Sequence, residues 1–227
     1  MILTREQLEY AVRDNDICDL IFTEDYLEYT GNDGFGFYSR RYYYPEKINR
    51  NHIKNHLLMD LKVKNLINEE ILLDFLSEEI DKNALAVCEY IALIYDDEDE
   101  VSPSRKKLHY EYGDEYALYA CEDLLGLTWI ERQVIFINVG AIEQVNDEIP
   151  YDDETDFLIG ILSTIFHEFR HLIYECHELL PFNSDSFPAT GGFEKEVEEY
   201  GNIHAEATYH KYKNLLNKDY NEEEGLR

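Results

Sequence analysis

The sequence predicts an α+β fold, and three stretches carry that prediction. Residues 133–142 are dense in β-branched and apolar side chains and read as a strand. From Asp156 to Leu179, the residues Leu158, Ile161, Leu162, Ile165, Phe166, Phe169, Leu172 and Ile173 recur at helical spacing and form one broad apolar face. A further helix is predicted from about Glu194 to Leu216.

The remaining elements follow in order. Thr4 and Gln7 have capping-box spacing, so a helix is expected to open near Arg5. Residues 31–44 read as a turn and an aromatic-rich strand or loop, ended by Pro45. Helical stretches are expected near 46–62, 66–80 and 82–95, the last apolar on most sides and therefore buried. Asp96 to Glu100 is an unbroken acidic run, and Val101-Ser102-Pro103-Ser104 follows it. A boundary there separates a mainly helical region, 1–100, from a second region, 101–227. The alternative is a solvated loop within one continuous domain. Another helix is expected over Glu115 to Leu125, an acidic linker over 146–155, and a Pro- and Gly-containing loop over 181–192.

Composition narrows the classes. A chain of 227 residues, 44% hydrophobic, can bury a core without disulfides. It carries 49 acidic against 20 basic residues, a net charge of −29, which repels nucleic acid and anionic membrane and attracts basic partners. Cys18, Cys88, Cys121 and Cys176 are scattered with no C-x-x-C pair, so neither a disulfide framework nor a cysteine zinc site is expected. No signal peptide is visible, and no apolar run approaches the roughly 18 residues that span a membrane. A reducing, cytoplasmic setting is the expectation.

His167-Glu168-Phe169-Arg170-His171 is an H-E-x-x-H sequence within the predicted helix. Residues four apart on a helix differ by about 40° around the axis and about 6 Å along it, so both imidazoles can face one ion. Glu168 lies about 100° further round, placed to act as a general base beside the ion without ligating it. A catalytic zinc takes three protein ligands and keeps one position open. The downstream helix offers Glu194, Glu196, Glu198, Glu199 and Glu206, with His204 and His210. Glu198 shares its stripe with Asn202 and Ala205, with Gly201 one turn on, a small face that can pack against the metal helix. Glu199 shares an outer stripe with Ile203, Glu206 and His210. Packing favours Glu198 as the third ligand, with Glu199 as the alternative. His204, Tyr209 and His210 are candidate oxyanion donors or partners that orient the ligands. The edge of strand 133–142 could hold an extended peptide.

With Glu198-Glu199-Tyr200-Gly201-Asn202-Ile203-His204-Ala205 downstream, the motif resembles the ImmA/IrrE-type small zinc metallopeptidases. That family's third ligand sits in an E-x-x-A-N-x-F-A-like helix. The resemblance covers about 135–212 and puts the ligand on Glu198. It implies a zincin-like core and cleavage of a specific, often regulatory, protein substrate. Arg170 and His204 depart from the family pattern. A different class of reading, a non-catalytic acidic binder such as a DNA mimic, follows from charge alone. A third is a zincin fold that keeps its metal for structure. His52 and His56 share helical spacing, yet no glutamate follows His52 and Asn51, Lys54 and Asn55 look solvated, so an ordinary surface pair is expected. Arg40-Arg41-Tyr42-Tyr43-Tyr44 is expected to pack internally or pair with acids.

Overall fold

The computed structural model describes residues 17–32, 37–96, 101–112, 124–129, 132–148, 154–175 and 193–217. Strands β1 (Ile17–Phe22), β2 (Tyr26–Asn32) and β3 (Phe37–Tyr43) form an antiparallel sheet in sequence order. The turn between β1 and β2 is closed by Thr23, whose hydroxyl accepts from the Tyr26 N–H at 2.9 Å. Leu27 and Tyr42 face each other across β2 and β3, and both are fully buried. Arg41, on the other face, pairs with Glu28 and Glu89, each at 3.1 Å. The aromatic-basic patch therefore packs inward and pairs with acids, as the sequence led us to expect.

Three side chains fix where the next helices start. Asn49 caps α1 (Arg50–His56), Asn68 caps α3 (Glu69–Glu79) and Asp81 caps α4 (Lys82–Ala86), each accepting from main-chain N–H groups of the first turn. A short α2 (Leu61–Leu66) lies between them. Two strands interrupt this region, β4 (Leu57–Met59) and β5 (Tyr90–Ile94). The expected helix over 82–95 is thus corrected: it stops at Ala86, and 90–94 is a strand. An all-apolar run has no period to read, and β5 is buried on both faces, as parallel strands usually are.

The second sheet has the order β4-β5-β7-β6, with β6 spanning Gly126–Trp129 and β7 Val134–Asn138. β4, β5 and β7 are parallel, and β6 runs antiparallel to β7 at the edge. Ile91, Leu93, Ile135 and Ile137 belong to the main core, which runs from Leu27 to Leu215. Ala92, Ile94, Val134 and Phe136 form a second core with Leu108 of α5 (Pro103–Tyr112). The Ser-Pro signal at 102–103 starts a helix, where the Ser102 hydroxyl accepts from Arg105 N–H at 3.2 Å. Both the sheet and the core cross residue 100, and the region before it, expected to be mainly helical, contributes β1 to β5. The predicted strand 133–142 is shorter. At Asn138 the side chain accepts from Ala141 N–H at 3.2 Å and starts α6 (Val139–Glu148), which takes up the start of the expected linker. The expected helix near Arg5, the loop 181–192 and residues 115–123 lie outside the described residues. Leu124 and Leu125, which end that last stretch, are not helical.

Gln133 joins the two sheets. Its side-chain oxygen accepts from Arg41 N–H at 2.7 Å, and its amide nitrogen donates to the Arg41 and Val87 carbonyls, each at 2.6 Å. Its φ is 56°, the left-handed region. Gln133→Ala should lose about 2–3 kcal/mol, because it strands main-chain groups that the amide now satisfies. Gln133→Gly should lose about 1 kcal/mol less, by relieving the φ alone. Urea unfolding of both variants gives the order, and equal losses would refute the backbone part.

Helix α7 (Glu154–Glu175) lies against the main-core face of this sheet, and α8 (Phe193–Thr208) packs on α7. The final helix thus ends at Thr208, short of the expected Leu216. Beyond it the chain folds back: Asn68 N–H donates to the Leu215 carbonyl at 2.8 Å and Leu216 bridges to Ile67. Among the described residues no helix is long and apolar enough to cross a membrane.

Candidate metal centre

Helix α7 buries Leu158, Ile161, Leu162, Ile165, Phe166, Phe169, Leu172 and Ile173, the face its periodicity defined. Ser163, His167, Arg170 and His171 are left half-buried on the side toward α8. The two imidazoles converge: Nε2 of His167 and Nε2 of His171 are 2.9 Å apart. Two such nitrogens either share one proton in a hydrogen bond or turn both lone pairs to one cation. Zinc–nitrogen bonds of about 2.0–2.1 Å place two tetrahedral ligands about 3.3 Å apart, so the pair fits a shared ion after a shift of a few tenths of an ångström.

Glu168 points to the sheet. It is only 5% exposed, its Oε1 lies 3.9 Å from His167 Nε2, and the Thr128 hydroxyl donates to its Oε2 at 2.8 Å. Gly126 makes room for it. A Cβ at that position would stand 2.6 Å from Glu168 Oε1 and 2.7 Å from Thr164 Cγ2, both inside van der Waals contact. Thr128 and Gly126 are site residues that the sequence reading missed. The alternation in Gly-Leu-Thr-Trp is four residues long, too short to announce a strand.

Three contacts set the pairing of α8 with α7. Ser163 Oγ donates to Asn202 Oδ1 at 2.7 Å, a Cβ on Gly201 would meet His167 Cβ at 3.4 Å, and Arg170 pairs with Glu196 at 3.0 Å. The numbers rise on one helix as they fall on the other, so the helices are antiparallel. Val197, Gly201 and Ala205 form the buried seam. Moving one turn along each helix from Ser163 and Asn202 leads to His167 and Glu198, which puts Glu198 level with the histidines on that flank. Its side chain is exposed. Glu199 faces outward and pairs with Lys195 at 3.6 Å. Glu196 is held by Arg170, whose guanidinium also lies 4.7 Å from the Tyr200 ring centre. Among the described residues no three His, Cys, Asp or Glu side chains are gathered closely enough to hold a metal.

The other candidates sit further off. The His204 ring stacks on Tyr200 at 3.9 Å, and its Nδ1 lies 2.8 Å from the Tyr200 carbonyl, with Phe166 beside it. Tyr209 and His210 follow the end of α8, their rings 3.8 Å apart. That is about 15 Å along the helix from the level of Glu198.

No family model, curated protein or solved structure matches this chain.

The second histidine pair is packed rather than solvated. His52 and His56 stack at 4.4 Å, and Tyr43 meets each ring edge-on. Asn51, Lys54 and Asn55 are exposed, as expected. Burial, followed by the neighbouring His56, lowers the His52 pKa from 6.5 to about 4. Between those values the unfolded chain takes up a proton that the folded chain refuses, so stability falls as pH drops through this window. Because His52 is only partly buried, solvent screening leaves this worth about 1 kcal/mol. His52→Phe should flatten the urea-midpoint profile between pH 6.5 and 4, and an unchanged slope would exclude His52 as its source.

Proposed function

We propose that the chain is a zinc-dependent metallopeptidase with a zincin-like core, cutting a peptide bond in a specific, basic or regulatory, protein substrate. One observation carries the reading. Two imidazole nitrogens 2.9 Å apart sit beside a buried carboxylate that a threonine hydroxyl holds in place at a sheet edge. The ImmA/IrrE-type resemblance points the same way. His167 and His171 would hold Zn²⁺, with Glu198 as third ligand and Glu199 as the alternative. When bound, the ion would polarise the scissile carbonyl and acidify a water. Glu168 is the general base, taking a proton from the attacking water and passing it to the leaving amine. Thr128 holds Oε2 of this carboxylate, so Oε1, the oxygen nearer His167, would take the proton. Substrate would lie along β6, because β7, the strand first expected to offer an edge, lies between β5 and β6.

Metal content tests this reading. Elemental mass spectrometry should find one zinc per chain in the unaltered protein and in Glu199→Ala, with at least tenfold weaker affinity in Glu198→Ala. No uptake of added zinc would overturn it. A second reading, an acidic binding protein that mimics DNA or inhibits a basic partner, draws on the net charge of −29. It predicts salt-sensitive binding to a DNA-binding protein that survives His167→Ala with His171→Ala.

A further inference from the structure

Helix α8 carries Glu198, so the way α8 is seated on α7 governs where that carboxylate can reach. Val197, Gly201 and Ala205 run down the face of α8 that meets α7. Counted at about 100° per residue, Glu196 and Tyr200 fall to one side of this seam, and Glu198 and Asn202 to the other. Each side has its own tie to α7. On the Glu198 side, Asn202 accepts from the Ser163 hydroxyl at 2.7 Å. On the other side one guanidinium holds two residues a turn apart. Arg170 Nη2 donates to Glu196 Oε1 at 3.0 Å, and Arg170 Cζ lies 4.7 Å from the centre of the Tyr200 ring. Tyr200 is braced in turn by the His204 ring, stacked at 3.9 Å, and by Phe166, edge-on at 6.4 Å.

The two ties restrain a motion that the seam leaves open. The helices approach closely at Gly201, where an added Cβ would stand 2.8 Å from the Ser163 carbonyl oxygen. A contact this narrow does not by itself fix the roll of α8 about its own axis. Glu198 is sensitive to that roll. A side-chain end about 6 Å from the helix axis moves about 2 Å when the helix rolls by about 20°. A zinc–oxygen bond is only about 2.0–2.2 Å long, so such a roll carries a carboxylate into or out of reach. Glu198 sits in the middle of the turn that Arg170 grips, and Arg170 sits between His167 and His171 along α7.

We propose that Arg170 is a positioning residue for the metal: through Glu196 and Tyr200 it sets the roll of α8 and so holds Glu198 at the histidines. The role rests on the metallopeptidase reading. A guanidinium has no acceptor atom, so Arg170 acts on the ion only through α8. A half-exposed ion pair contributes little to folding, so loss of the clamp should register in metal affinity and hardly in stability.

Zinc affinity is measured by competition with a chromophoric chelator, and urea midpoints are taken on the same full-length proteins without metal. Arg170→Met should bind zinc about tenfold or more weakly, with little change in midpoint. Glu196→Gln cuts the same tie from α8 and should do the same, which keeps the test open if Arg170→Met folds poorly. Arg170→Lys keeps a charge for Glu196 and should recover part of the loss. Glu198→Ala is the deciding background. If Arg170 works through Glu198, adding Arg170→Met there should change zinc affinity by less than about twofold, because interacting sites are not additive. A further loss of about tenfold in that background would make Arg170 a general support of the site and overturn the proposal. Unchanged zinc affinity in both Arg170→Met and Glu196→Gln would overturn it as well. If the unaltered chain takes up no zinc, the metallopeptidase reading itself fails, and the positioning role with it.

Discussion

Glu168→Gln should lower peptide hydrolysis by about 10³-fold while leaving zinc content unchanged. The amide has the shape of the carboxylate, and its oxygen can still accept from Thr128, so fold and packing against Gly126 are kept. What disappears is the ability to take a proton from water. Because Glu168 is not a ligand in this scheme, metal affinity should not follow activity. The measurement is digestion of a peptide library read by mass spectrometry, with metal analysis on the same samples. Unchanged cleavage would remove Glu168 from the mechanism, and loss of zinc with activity would make it a ligand.

The largest expected loss of stability comes from Arg105→Met. Arg105 and Asp96 form an ion pair with side chains 2% and 5% exposed. Asp96 also accepts from Ser102 N–H at 2.7 Å, which ties the segment after β5 to the start of α5. Removing the guanidinium leaves a carboxylate buried without its counter-charge, at a cost of about 3–5 kcal/mol. The pair itself contributes far less than this, since both charges were taken out of water to form it. The double variant Asp96→Asn with Arg105→Met should therefore recover most of the loss, as Asn keeps the acceptor for Ser102 and carries no charge. Urea unfolding at pH 7 measures both. A loss below about 1 kcal/mol in the single variant would mean that Asp96 is not held as a buried anion.

Helix α7 was the most legible element, because its apolar residues recur with a clear period and its motif lies on the remaining flank. That Glu198 lies on the flank toward α7 while Glu199 faces outward was also readable, since Gly201 and Asn202 mark the face that meets α7. What escaped has physical causes. Tyr90–Ile94 is buried on both sides, and an apolar run without alternation looks the same as a buried helix. Helix Pro103–Tyr112 hides behind its lysines and an acidic run, and its only sequence signal is the Ser-Pro start. Gly126 and Thr128 matter through residues some forty positions away, and such contacts leave no local pattern.

The order of elements along the chain has a consequence for how such a centre is filled. All four strands of the second sheet have been synthesised by Asn138, and the domain can begin to fold from its N-terminal side during translation. The histidines come later, at 167 and 171, and α8, which carries Glu198, only from residue 193. A nascent chain would thus hold a finished sheet before α8 arrives, so the proposed ligand set would be completed only after the sheet that supports it.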